Sequence, residues 1–147
     1  VDPMHRDVFT ATRGGGARRN GRAISCSSQD DVSTALVATG FGYAAERRRA
    51  QAEVLVELLP RIRDIRRMGA ASVDLCSVAC GRLDAYFERG LAPWDLAAGA
   101  LVATEAGATV TALDGGPVVA GSVLAAAPRI AAPLSDLLCS LGAQEGP

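Results

Sequence analysis

Two carboxylates, Glu88 and Asp95, have the surroundings that most suit chemistry in this sequence. An apolar, aromatic run from Leu83 to Phe87 ends at Glu88, and Pro93-Trp94-Asp95 opens a segment of small residues that stops at Gly107. Strand, loop and helix in that order put both acids near the carboxyl end of a strand, where open α/β sheets hold their ligands. Asp95 at a helix start can present its carboxylate to a hard cation such as magnesium, which uses few carboxylates together with water and phosphate. An aspartate there can equally cap the helix, and the helix dipole favours it. Both readings stay open on residue type alone. Gly69-Ala70-Ala71 begins another predicted helix, and such small residues leave backbone N–H groups accessible to an anion or a hydroxyl.

Other reactive-looking residues have plainer explanations. Cys76 and Cys80 share a helical face, yet no other Cys or His stands near them in sequence, so they read as small buried hydrophobes. Cys26 and Cys139 are isolated, and a disulfide is not expected. Gly14-Gly15-Gly16 lacks the Lys-Ser/Thr ending of a phosphate loop and reads as a turn. His5, the sole histidine, reads as a solvated turn residue. The triplet Arg47-Arg48-Arg49 suggests an anion site or a solvated helical face, with the second preferred.

The elements that must position these residues alternate. Val8 to Thr12 is strand-like, and Asn20-Gly21 is a hairpin turn signal. After a polar linker, Ala35 to Thr39 is a buried strand, Ala44 to Leu59 an amphipathic helix ended by Pro60, and Ile62 to Arg67 a strand. A helix over Ala70 to Cys80 stops at Gly81, the Leu83 to Phe87 strand follows, and the next helix covers Trp94 to Ala106. Strands over Thr109 to Leu113 and Val123 to Ala126 flank the turn Asp114-Gly115-Gly116-Pro117, and a last helix runs from Pro128 to about Leu138. The expected fold is α/β: a mostly parallel layered sheet flanked by helices. A β-hairpin from an incomplete antiparallel sheet should precede it. The expected organisation is hairpin at residues 1–24, α/β domain at 25–141 and a frayed tail at 142–147.

Bulk properties narrow the setting. A formal net charge of −1 argues against a general nucleic-acid binder. All 15 basic residues are arginine, which with abundant alanine and glycine points to a GC-rich bacterial genome. With no long apolar run and no signal peptide, the chain reads as soluble and cytoplasmic. Val1 as first residue suggests a chain that begins mid-domain.

Trp94-Asp95-Leu96-Ala97-Ala98-Gly99 followed by Glu105-Ala106-Gly107 resembles the second signature of the inositol monophosphatase family, roughly W-D-x-A-A-G…E-A-G. Arg66 to Leu75 and Gly81-Arg82-Leu83-Asp84 resemble the same family, in the same order. The resemblance runs from Val1 to about Leu138. The family's first signature begins Asp-Pro and continues Ile-Asp-Gly-Thr, whereas here Met4-His5 follows Asp2-Pro3, so Asp2 does not match that metal ligand. The resemblance therefore implies the family's C-terminal half alone, the C-terminal part of a sugar-phosphatase-like fold.

The resemblance implies roles. Asp95 matches the catalytic, metal-binding and substrate-contacting aspartate, with Trp94 as packing that fixes its position. Gly69, Ala70 and Ala71 match a segment that contacts substrate through its backbone. Glu88 matches an acceptor of substrate hydroxyls, a task suited to a carboxylate facing a vicinal diol. Asp84 is left open. The implied reaction is magnesium-dependent hydrolysis of a phosphate monoester such as inositol monophosphate, in a protein that could form a homodimer and has no nucleic-acid or membrane partner. As a truncated chain it is expected to be inactive alone. Histidinol phosphatase, fructose-bisphosphatase and bisphosphate nucleotidase are alternatives within the family. A non-catalytic binding or oligomerisation module is the alternative outside it.

Overall fold

The computed structural model describes residues 1–118 and 121–145. Its first element is a small antiparallel sheet, β1 (Phe9–Ala11), β2 (Ala17–Arg19) and β3 (Arg22–Ala23). Asn20 and Gly21 join β2 to β3 with φ of 51° and 79°. Two positive φ values in succession define the mirror-image turn whose twist matches paired strands, and Asn-Gly is the pair that tolerates them.

The second sheet holds β4 (Leu36–Thr39), β5 (Asp64–Arg66), β6 (Ala85–Arg89), β7 (Thr109–Thr111) and β8 (Ser122–Ala126), in the order β5-β4-β6-β8-β7. β4 pairs in parallel with β5 and β6, while β8 runs antiparallel to both β6 and β7. The sheet is mixed, which corrects the expectation of a mostly parallel one. The cause lies in the connections. Helices carry the chain between the parallel strands, but no helix separates β7 from β8. A direct return of that kind makes an antiparallel neighbour, because a parallel one needs a long crossover. β8 takes the place between β6 and β7.

Helices α1 (Ala45–Leu58) and α4 (Pro128–Ser140) belong to one face, α2 (Ala71–Ala79) and α3 (Pro93–Glu105) to the other. The alternation of β6 feeds both. Phe87 joins Leu58, Leu124, Ile130 and Leu134 on the first side, and Tyr86 joins Leu75, Val78, Leu96 and Val123 on the second. α2 and α3 approach closely because α3 has glycine at the crossing: a Cβ at Gly99 would lie 2.8 Å from Leu75 Cβ.

The small sheet has three strands and is packed on the α2/α3 core, where an unsupported hairpin was expected, a second correction to the expected fold. Ala17 is 3% exposed and sits in the α2/α3 core, with Phe9, Ala11 and Ile24 packed against it. The carboxylate of Glu105, at the end of α3, accepts the amides of Gly14 and Gly16, each at 2.9 Å. These bonds hold its carboxyl below the usual range. Cys26 N–H donates to Ala106 O, and Arg82 pairs with the buried Asp7 at 2.8 Å. The glycine-rich turn thus presents its N–H groups to an acid on the helix, so the same glycines that broke the strand pattern anchor it. At the other end Ala143 is buried in the α1/α4 core. The last part of the expected tail, residues 146–147, lies outside the described residues. No described helix is long and apolar enough to cross a membrane.

Gly99→Ala is expected to lower stability by about 1–2 kcal/mol in urea unfolding, although alanine favours an exposed helix by about 1 kcal/mol. Glu105→Gln is expected to speed hydrogen exchange at Gly14 and Gly16 while leaving the amides of β6 protected.

Candidate functional site

Strands β5, β4 and β6 run the same way, so their carboxyl ends lie side by side. The loops that leave them lead into α2, α1 and α3. Together these loops enclose a pocket of about 320 Å³ whose lining includes Gly40, Gly69, Ala71, Asp74, Glu88 and Asp95. The residues singled out in the sequence, Gly69, Ala70, Ala71, Glu88 and Asp95, all reach this one pocket.

Glu88 is placed by strand periodicity. It stands two residues beyond Tyr86 in β6 and so shares the face that carries α2 and α3. Tyr86, fully buried, donates its hydroxyl to Glu88 Oε2 at 2.5 Å. A Cβ at Gly40 on the neighbouring strand end would fall 1.9 Å from the same oxygen, so any larger residue there would displace the carboxylate. Burial pushes the Glu88 carboxyl up, against the Tyr86 hydrogen bond and the nearby Arg67 charge, and Asp95 adds to the rise.

Asp95 is the third residue of α3, after Pro93 in the first turn. Its Oδ2 accepts the Ala92 amide at 3.0 Å. Ala92 has no side-chain acceptor to complete a capping box, so only the return bond is made. That bond fixes the acid, and not packing by the tryptophan: Trp94 is 82% exposed at the pocket wall, which corrects its expected role.

Gly69, with φ of 100°, turns the chain into α2. Ala70 is the N-cap and offers no side-chain bond, so the first amides of α2 are left without an intrahelical or capping partner. Asp74 in the first turn was not assigned a role from sequence. It is 2% exposed, and its Oδ1 has no hydrogen-bond partner. Burial, and then the charge of Glu88, push its carboxyl up to about 7, against the Met68 amide and the Arg67 charge. An acid inside the apolar run Val73 to Cys76 was the available signal. Asp84 lies at the other end of β6, accepting Ser27 Oγ and the Leu36 amide, and serves the fold.

The class defined by this geometry is a layered α/β protein with a carboxylate-lined pocket at the ends of parallel strands and open helix amides on its wall. The description "Inositol monophosphatase family" matches residues 1–142, and the chain belongs to that family. It is 48% identical over 148 residues to inositol-1-monophosphatase SuhB of Mycobacterium tuberculosis, covering 96% of this chain and 49% of that protein. It is 41% identical over 132 residues to Nus factor SuhB of Escherichia coli, covering 88% and 49%. Among solved structures, inositol monophosphatase from Anabaena (Nostoc) superposes with a TM-score of 0.87 at 39% identity, over 95% of this chain and 59% of that one. The expectation that the resemblance is to a C-terminal half alone is corrected by the extent of the family match, which takes in both sheets and the four helices. The chain spans about half the length of the curated relatives it matches.

An acid whose carboxyl is raised in the folded state favours unfolding as pH rises. The unfolded chain releases the Asp74 proton near pH 4 and the folded chain near 7. Stability should therefore fall between about pH 4 and 7, with Glu88 acting in the same direction. Urea unfolding at pH 5 and pH 8 should show Asp74→Asn reducing that fall by about 2–4 kcal/mol.

Proposed function

We propose that the chain is a magnesium-dependent phosphomonoesterase acting on a polyol phosphate such as inositol monophosphate. The observation that carries this reading is the convergence of Glu88, Asp95 and the Gly69–Ala71 backbone on one pocket in a chain of this family. Within it, Glu88 accepts hydroxyl hydrogens from a vicinal diol. Tyr86 holds Oε2, so the carboxylate keeps a fixed direction and Oε1 remains for the ligand. The open amides at the start of α2 donate to ligand oxygens, with the helix dipole behind them.

The residues suit magnesium by donor type. Asp74, Glu88 and Asp95 are hard oxygen donors lining one pocket; Glu88 raises the cost of ionising Asp74, and Asp95 that of ionising Glu88, which a cation would relieve. No group of three or more His, Cys, Asp or Glu side chains among the described residues forms a cage. Magnesium does not need one, because it takes one or two carboxylates and completes its shell with water and phosphate. Asp95 would hold it through the oxygen not tied to Ala92. The ion, when bound, neutralises charge on the ester oxygens and acidifies water. The four free cysteines fit a cytoplasmic setting.

Trp94 is the only tryptophan and adjoins Asp95, so its fluorescence reports on the site. Magnesium is expected to change that emission in wild type and not in Asp95→Asn. The expectation of an inactive chain rests on the reading as a C-terminal half alone, which the family match corrects. Phosphate release from inositol monophosphate is therefore expected, with a need for magnesium and a fall of about 100-fold in Asp95→Asn. Glu88→Gln is expected to weaken the polyol by about tenfold. Polyol binding without phosphate release would instead favour a non-catalytic binding module. Release indifferent to Asp95 would sink the assignment.

A further inference from the structure

The arginine triplet at the start of α1 opposes the helix dipole, which favours anions there. A sequence that breaks a local rule invites a search for what each residue does. The structure separates the three. Arg49 faces solvent and pairs with Glu53 at 3.5 Å. Arg48 donates to the carbonyls of Gly42 and Tyr43, closing the loop between β4 and α1. Arg47 goes to the pocket.

Its seat is shaped by two glycines. A Cβ at Gly42 would lie 2.1 Å from Arg47 Cδ, and one at Gly90 would lie 2.2 Å from Arg47 Nη1. Gly90 also has φ of 80°, which any other residue adopts with strain. The seat is held in place by Gln51, which accepts the Gly42 amide and donates to Gly40 O. Arg47 and Glu88 thus both line the pocket at these strand ends. Gly40 makes room for the Glu88 carboxylate, and two residues further along each segment Gly42 makes room for the stem of Arg47 and Gly90 for its guanidinium. The pocket lining therefore includes both an acceptor and a donor fork. Arg47 makes an interaction within the protein. With five N–H donors, a guanidinium can keep one protein partner and still take a ligand oxygen.

We propose that Arg47 is a specificity-determining residue that gives the pocket a second anion contact, so that polyol phosphates bearing a further acidic group are preferred over simple monoesters. The inference rests on the polyol-phosphate reading of the pocket. It adds the class of ligand: a diol for Glu88 beside a second phosphate or a carboxylate for Arg47. The planar fork suits both anions.

The test is calorimetric titration of the full chain with two matched pairs. Inositol bisphosphate against inositol monophosphate reports a second phosphate. Gluconate 6-phosphate against glucitol 6-phosphate reports a carboxylate. Wild type is expected to bind the doubly acidic member of at least one pair about tenfold or more tightly, and the pair identifies which anion is read. In Arg47→Gln the ratio is expected to fall close to one. Arg47→Lys keeps the charge without the fork and should give an intermediate ratio; it also serves if the glutamine variant does not fold. A wild-type ratio near one in both pairs, a ratio that survives Arg47→Gln, or no binding of any ligand overturns the proposal. The hydrolytic reading fails separately: ratios as expected with no magnesium-dependent phosphate release leave the anion contact standing. Release with a ratio of one does the reverse.

Discussion

Everything at this site depends on keeping the Glu88 carboxylate at the carboxyl end of β6. The alternation of the strand leaves no choice of side. Once Tyr86 is committed to the α2/α3 core, Glu88 must follow on the same face, against the first turn of α2 and the start of α3. Those positions bring Asp74 and Asp95 to the same pocket. Three acids in one concavity repel one another, and burial removes the water that would screen them. The surroundings answer with specific groups. Tyr86 hydrogen-bonds Glu88, the Met68 amide and Arg67 oppose the rise at Asp74, and the Ala92 amide holds Asp95. Gly40 yields the space that any side chain would have occupied.

Alanine is the N-cap of all four helices, and none of these alanines can supply a capping side chain. A buried helix end normally finds side-chain caps. Neither α2 nor α3 has a capping side chain at its N-cap, where alanine stands in both. A Ser or Asp at either position would satisfy the amides and stabilise the helix by about 1 kcal/mol, but it would also occupy the donors a ligand needs. The uncapped start of α2 opens on the pocket, and the same missing cap recurs at α4, outside it.

Much of the site was legible in the sequence. The order strand, acid, loop, Pro-Trp-Asp, helix placed Glu88 and Asp95 together, and Gly69-Ala70-Ala71 marked the third wall. Their shared pocket follows from connections that the residue pattern already exposed. What stayed hidden was non-local. The place of β8 between β6 and β7 depends on pairing across distant segments, and a short apolar strand carries no mark of its neighbours or direction. The anchoring of the small sheet rests on Glu105 meeting glycine amides far away in sequence, so the glycines read only as a break. Trp94 reads in the sequence as packing that fixes Asp95, and it lies exposed. The arginine triplet read as a solvated face because identical neighbours conceal three different partners.

The place of β8 also sets the order in which the sheet can close. β7 pairs with β8 alone, and β6 meets it along its full length. When a ribosome has delivered β4, β5 and β6, three strands can associate, but β7 then stands apart across a gap one strand wide. Both sides of that gap are unsatisfied edges, and such edges recruit foreign strands. β8 is the strand that fills it, so the chain stays in this adhesive state until β8 has emerged.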